Sequence, residues 1–127
     1  MIKVLHVDDE DYQLETVSLF LRQLDASFQI TSVSSPSLAL RELESHKFDC
    51  IVTDLKMPGI DGMAVIRVAQ SLSPRPAIVA MSGRVAELEA AGLLRLFGLG
   101  ANTVLAKPFG KRELVECIAN LVGERAT

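Results

Sequence analysis

The stretch Ile2-Lys3-Val4-Leu5-His6-Val7-Asp8-Asp9 is a mainly apolar run of strand length that ends on two carboxylates. The pattern recurs along the chain. Cys50-Ile51-Val52-Thr53 leads to Asp54, Ala77–Met81 leads to Ser82, and Asn102–Ala106 leads to Lys107-Pro108. Four sequence-distant strands thus carry carboxylates, a hydroxyl and an ammonium group at their carboxyl ends. In an open parallel α/β sheet those ends form the ligand crevice. One set of residues therefore predicts both a fold and a site.

Helical patterns separate the runs. The spacing predicts strands over 2–7, 28–34, 48–53, 77–81 and 102–106, and helices over 11–25, 36–46, 62–72, 84–98 and 110–123. Leu14, Val17, Leu21 and Leu24 recur with the helical period. Ser35-Pro36 reads as an N-cap followed by proline at the first helical position. Met57-Pro58-Gly59 and Asp61-Gly62 mark a tight loop after the third strand. Alternation of strand and helix predicts an α/β, doubly wound parallel sheet with right-handed crossovers.

At 127 residues the chain has the length of one domain, read as spanning 1–127 with no linker, repeat or output domain. It is 49% hydrophobic and 23% charged, the balance of a globular rather than a disordered chain. A net charge of −3 disfavours non-specific nucleic-acid binding. No apolar stretch approaches the roughly 18 residues that span a bilayer, and no signal peptide precedes the first strand. Cys50 and Cys117 lack metal-ligand spacing and read as reduced, partly buried thiols, so a cytoplasmic location is expected. His6 reads as a packed strand residue and His46 as a solvated loop residue.

Each site residue alone has an ordinary explanation. Asp8 or Asp9 would cap the first helix, although one aspartate suffices and Asp11 is also available. A strand-ending Asp54 is often a loop residue, Ser82-Gly83 suits a turn, and Lys107-Pro108 suits the end of a strand. The joint occurrence at strand ends favours function. Asp8, Asp9 and Asp54 are three carboxylates against one ammonium, Lys107. Clustered like charges oppose folding, and one divalent cation offsets them. All-oxygen ligands favour Mg²⁺. A phosphoryl group beside that ion would meet the Ser82 hydroxyl and Lys107. A carboxylate is a competent nucleophile toward phosphorus, and Asp54, lying centrally, is the candidate acceptor.

These motifs resemble the receiver domain of two-component response regulators. The resemblance rests on Val7-Asp8-Asp9-Glu10, Thr53-Asp54-Leu55-Lys56-Met57-Pro58-Gly59-Ile60-Asp61-Gly62, Ser82-Gly83, Gly100-Ala101 and Lys107-Pro108-Phe109. It implies a flavodoxin-like (βα)5 sheet of strand order 2-1-3-4-5. It implies that Asp54 takes a phosphoryl group from a histidine kinase or a histidine phosphotransfer protein. Asp9, Asp54 and the Lys56 backbone carbonyl would bind Mg²⁺ directly, with Asp8 acting through water. Ser82 and Lys107 would bind the phosphoryl, and the bond to Pro108 would be cis. Lys56 and Arg84, two residues after the acceptor and the hydroxyl, would flank attacking water and tune the phosphoryl lifetime. Such a protein is no enzyme in the ordinary sense, since it catalyses only its own phosphorylation and slow dephosphorylation.

Two features depart from the family pattern. The usual Tyr or Phe three residues before the lysine is Val104, which has no long rotor. The interval from Ser82 to Lys107 is also longer than usual, which suggests a longer helix over 84–98. That helix carries Leu93, Leu94, Leu96 and Phe97, a broader apolar face than an ordinary buried stripe. Neighbouring loops would cover the excess, or the face would meet a downstream protein or a second copy in a homodimer.

Other functions compete. A degenerate receiver would act as a constitutive interaction module, with Val104 in its favour and the intact acidic set against it. A haloacid-dehalogenase-type phosphatase also uses an aspartyl nucleophile with Mg²⁺. It needs a second acid two residues after the nucleophile, where this chain has Lys56. A flavodoxin-like electron carrier needs a hydroxyl- and glycine-rich phosphate loop after the first strand.

Overall fold

The computed structural model describes residues 2–10, 15–19, 28–55, 62–82, 100–106 and 109–126. Lys56, Arg84, Lys107, Pro108 and the helix expected over 84–98 lie outside them. Five strands are present: β1 (Ile2–Val7), β2 (Phe28–Val33), β3 (Cys50–Asp54), β4 (Ala77–Ser82) and β5 (Thr103–Ala106). The helices are α1 (15–19), α2 (Pro36–Ser45), α3 (Gly62–Gln70) and α4 (Lys111–Ala126). All strand pairings are parallel, in the order β2-β1-β3-β4-β5. This is the doubly wound parallel sheet that the alternation of elements predicts, in the flavodoxin-like strand order that the resemblance implies.

The apolar runs of β3 and β4 are continuous because helices cover both faces of the sheet. Alternate residues serve two cores. Leu5, Val7, Ile51, Ile78 and Ala80 pack with Ala39 and Leu43 of α2 and Val65, Ile66 and Ala69 of α3. Val4, Cys50, Val52, Val79 and Met81 pack on the other face with Val17 of α1 and Leu114 and Ile118 of α4. The helical period in the first predicted helix thus has its described part, 15–19, on this second face.

Element ends shift from expectation for local reasons. The third strand begins at Cys50 rather than 48, because Asp49 is engaged outside the ladder. Its carboxylate accepts from the Lys3 amide at 2.8 Å, its own amide donates to the Lys3 carbonyl at 2.8 Å, and its carbonyl accepts from the Ala77 amide at 3.0 Å. One residue so ties β1, β3 and β4 together at their amino ends. α2 starts as expected: the Ser35 hydroxyl accepts from the Leu38 amide at 3.2 Å and Pro36 opens the first turn. α3 stops at Gln70 rather than 72. The Ser71 amide and hydroxyl both donate to the Val68 carbonyl, and the Leu72 amide donates to Ala69, a tightened terminal turn. α4 runs to Ala126, three residues past the expected end. At its start the Glu113 carboxylate reaches back to the Gly110 amide at 3.3 Å, as in a capping box.

The strand β5 is entered through Gly100, whose φ of 118° suits glycine. A Cβ there would lie 2.9 Å from Gln70 Cγ. Asn102 then anchors the edge strand, its amide donating to the Ile78 carbonyl and its side-chain oxygen accepting from the Ile78 amide, both at 2.8 Å. His46 is exposed as expected, capping α2 with its amide on the Glu42 carbonyl. Both thiols are free. Cys50 is fully buried rather than partly so, and Cys117 is half-buried. Burial first, and Glu113 second, push the Cys117 thiol above its ordinary value.

Two outcomes follow from this packing. Ile51 is completely buried between two ladders and α2/α3. Ile51→Ala is expected to lower unfolding stability by about 2–5 kcal/mol in urea titration; a loss under about 1 kcal/mol would contradict the packing. Alkylation of Cys117 at pH 8 should be slower than that of an unstructured cysteine peptide. Glu113→Gln should accelerate it, because removing the carboxylate lowers the thiol pKa and raises the thiolate fraction. An unchanged or slower rate would show that the charge of Glu113 does not reach the thiol.

Candidate functional site

The pairing of β1 with β3 runs Val4↔Cys50, Leu5↔Ile51, His6↔Val52 and Val7↔Thr53. The next step along both strands brings Asp8 beside Asp54. Neighbouring strands are about 4.8 Å apart, so the two carboxylates leave adjacent backbones. By alternation both stand on the face of Val4, Val52 and α4. Asp8 is fully buried and Asp54 is 5% exposed. The ladders continue past both residues: the Asp8 amide donates to the Val33 carbonyl at 3.2 Å and the Leu55 amide to the Met81 carbonyl at 3.1 Å. The backbone carrying each acid is therefore held on its outer flank as well.

Asp9 and Glu10 are exposed. Carboxylate oxygens of Asp8, Asp9 and Glu10 lie within 4.8 Å of one another. The Asp8 Oδ1 accepts from the Glu10 amide at 3.0 Å, an Asx turn that bends the chain at the strand end. This engagement precedes the helix and differs from the helix cap that would account for a lone aspartate. The site runs from two buried acids to two exposed ones. Every donor is a hard oxygen, the set suited to a divalent cation such as Mg²⁺ or Ca²⁺ rather than to a thiophilic metal. Among the described residues, Asp8, Asp9 and Glu10 are the ones whose carboxylates could together hold it.

Ser82 ends β4, is half-buried and pairs with Ala106. It lies one residue beyond Met81, the register partner of Asp54. The hydroxyl thus stands a step nearer the rim of the crevice than the carboxylate. Ala106 is the last described residue before Lys107, which puts β5 at the same rim. Val104 pairs with Ala80 and packs against the α2/α3 core. Strand ends therefore bring Asp8, Asp9, Asp54 and Ser82 to one edge of the sheet. Lys56, Arg84, Lys107 and Pro108 lie outside the described residues.

Two residues, Glu10 and Thr53, had no separate role in the reading of the sequence, whereas His6 is the packed strand residue expected of it. Glu10 joins the acidic cluster, and its only signal was adjacency to the doublet. Thr53 is fully buried, and its hydroxyl donates to the Asp54 carbonyl at 3.2 Å, bracing the backbone of the acid. His6 is fully buried on the same strand face as Asp8, two residues below it. Among the described residues, no helix is long and apolar enough to cross a membrane.

Comparison with known proteins converges on one family. The family model for the response regulator receiver domain matches residues 4–119. The transcription factor SKN7 of Saccharomyces cerevisiae is 29% identical over 122 residues, 96% of this chain but 19% of that protein. The sensory transduction protein RegX3 of Mycolicibacterium smegmatis is 31% identical over 115 residues, 91% of this chain and 48% of that protein. The chain thus spans between a fifth and a half of the length of these relatives. A crystal structure of the receiver domain of a Pseudomonas aeruginosa sensor histidine kinase superposes with a TM-score of 0.83 at 26% identity, covering 96% of this chain and 98% of that one. That structure has a magnesium ion coordinated in its active site cleft. With an acid-lined edge on a 2-1-3-4-5 parallel sheet, the chain belongs to the response regulator receiver domains of two-component signal transduction.

Proposed function

We propose that this chain is a phosphorylation-dependent switch or relay whose acceptor is Asp54. The observation that carries the reading is the apposition of buried Asp8 and Asp54 at the carboxyl ends of paired strands, with Ser82 at the next strand end. The donor would be the phosphohistidine of a histidine kinase or a phosphotransfer protein. An oxygen of the ionised Asp54 carboxylate forms a bond to phosphorus while the P–N bond breaks, and the imidazole leaves with a proton. The carboxylate needs no general base. Asp9, Asp54 and the Lys56 carbonyl, with Asp8 through water, would hold Mg²⁺. When bound, that ion supplies electrostatic neutralisation of the transferring group. Ser82 donates a hydrogen bond and Lys107 an ammonium to the phosphoryl oxygens. Lys56 and Arg84 set how readily water reaches the acyl phosphate.

In this reading the domain works without turnover of a separate substrate, and in the cytoplasm. Its output is a change in affinity for a downstream protein, through residues 82–100 or through a homodimer, with no role for nucleic acid or membrane. Val104 favours a variant of the mechanism. A β-branched side chain half-buried against the α2/α3 core cannot sweep between an inner and an outer pocket. The pull on Ser82 must then act through the backbone of the loop after β4, or the domain passes the phosphoryl onward without a conformational readout.

Three experiments test these assignments. In thermal melts, Mg²⁺ should raise the melting temperature, because a ligand bound only by the native state stabilises it. In chelator, Asp54→Ala should melt above the wild type, since one of two adjacent buried carboxylates is gone. A lower melting point would contradict charge repulsion at the site. With a small-molecule phosphodonor, Asp9→Asn should lose about two orders of magnitude in phosphorylation rate. Wild-type kinetics in that variant would remove Asp9 from the mechanism. Amide chemical shifts on adding beryllofluoride should move in 82–100 and 104–110 for a conformational switch, and around the acidic residues alone for a pure relay.

A further inference from the structure

The two edge strands of the sheet differ in how they are protected. β5 is four residues long and runs into Lys107-Pro108, a charge followed by a residue with no amide donor. β2 spans six residues, Phe28-Gln29-Ile30-Thr31-Ser32-Val33, with no charge, proline or glycine. Its register with β1 is unbroken from end to end, so no bulge bends it away. Among the described residues β2 pairs with β1 alone. Uncharged segments of this length, rich in β-branched and aromatic residues, pair with copies of themselves when left on an edge. The ladder fixes which backbone groups face outward. The Val33 carbonyl accepts from the Asp8 amide, so Val33, Thr31 and Gln29 turn their backbone groups toward β1. By alternation Phe28, Ile30 and Ser32 turn theirs away from it. The side chains of Phe28 and Ile30 pack into the core beneath α1 and α4. Gln29 is exposed and Thr31 half-buried, and both border a hollow of about 330 Å³ on the α2 side. α2 therefore does not close that side of the edge.

We propose that the outer edge of β2 is a self-association site, on which β2 of a second copy of this chain pairs antiparallel about a two-fold axis at Ile30. Centred there, every outward amide and carbonyl gains a partner. Ile30 exchanges hydrogen bonds with Ile30 of the partner subunit, and Phe28 does so with Ser32 of the partner subunit. On the α1/α4 side the two Ile30 side chains meet across the axis and continue the apolar layer. On the α2 side Gln29 lies opposite Thr31 of the partner subunit, an amide against a hydroxyl. The absence of charge selects the occupant. Pairing with itself puts no like charges opposite one another, and the strand offers a charged partner strand nothing to recognise. The product is one sheet continuous through both copies, an isologous dimer. β1 separates this edge from Asp54 on β3, so the association requires nothing of the phosphoryl chemistry.

Sedimentation of the unphosphorylated protein over a concentration series tests this, with circular dichroism to confirm that each variant is folded. A reversible monomer–dimer equilibrium is expected. Ser32→Pro removes an outward amide and leaves the ladder to β1 intact, so it should weaken the dimer in a folded protein. The pair Gln29→Glu, Thr31→Glu sets like charges opposite each other at both cross-strand positions and should weaken the dimer by about tenfold or more. The pair Gln29→Glu, Thr31→Lys sets opposite charges there and should restore it. A monomer at every concentration, a dimer indifferent to Ser32→Pro, or one affected equally by the two charge pairs would overturn the proposal. Should Ser32→Pro fail to fold, the contrast between the two charge pairs decides alone.

Discussion

The structure is organised around two acids carried side by side: Asp8 and Asp54, both buried, on neighbouring strands one step past the last paired residues of β1 and β3. Two carboxylates side by side repel each other unless a cation or a hydrogen-bond donor compensates them. Everything around them works to hold the arrangement. β2 grips the Asp8 amide, β4 accepts from the amide after Asp54, and the Thr53 hydroxyl braces the Asp54 carbonyl. Beneath lie Val4, Val52, Val79, Met81, Leu114 and Ile118, a dry layer whose burial offsets the electrostatic cost. Stability given up at one edge of a sheet in this way is the usual mark of a functional site.

The register matters more than the residues' identities alone. A slip of one residue between β1 and β3 would turn Asp8 to the α2/α3 face and separate it from Asp54. Asp49 guards against that slip from the far end. Its three hydrogen bonds to Lys3 and Ala77 set where β1, β3 and β4 start relative to one another. An ordinary aspartate at the foot of the sheet thus fixes the spacing of the acids at its head. The same ladder carries the relation of Asp54 to Ser82 through Met81, and of Ser82 to β5 through Ala106.

Strand existence and the site edge were legible because interior parallel strands read as unbroken apolar runs, and because acids directly after such runs have few structural uses. Strand and helix ends were less legible. Phe48 looked like the start of a strand because it is apolar, yet it packs as a side chain in the α2/α3 core while Asp49 takes up the backbone partners. Leu72 looked helical for the same reason, although Ser71 turns its hydroxyl back on the helix and ends it. The role of Glu10 was hidden because one acid after two others carries no periodic signal. Only the Asx turn at Asp8 folds it back toward the doublet. Thr53 was read as one more strand residue, since a single hydroxyl bonded to a neighbouring carbonyl leaves no pattern in sequence.

The central claim is that Asp54, rather than Asp8, Asp9 or Glu10, forms the acyl phosphate. An acyl phosphate is reduced by borohydride to a primary alcohol, which converts the modified aspartate into homoserine, while free carboxylates are left alone. Phosphorylation with a small-molecule donor and Mg²⁺, followed by borohydride and peptide mass mapping, reads the acceptor directly. The account predicts homoserine at position 54 only, dependent on donor and metal. Homoserine at position 8 or 9, a reduced glutamate at position 10, or no reduction in a fully folded sample would contradict it.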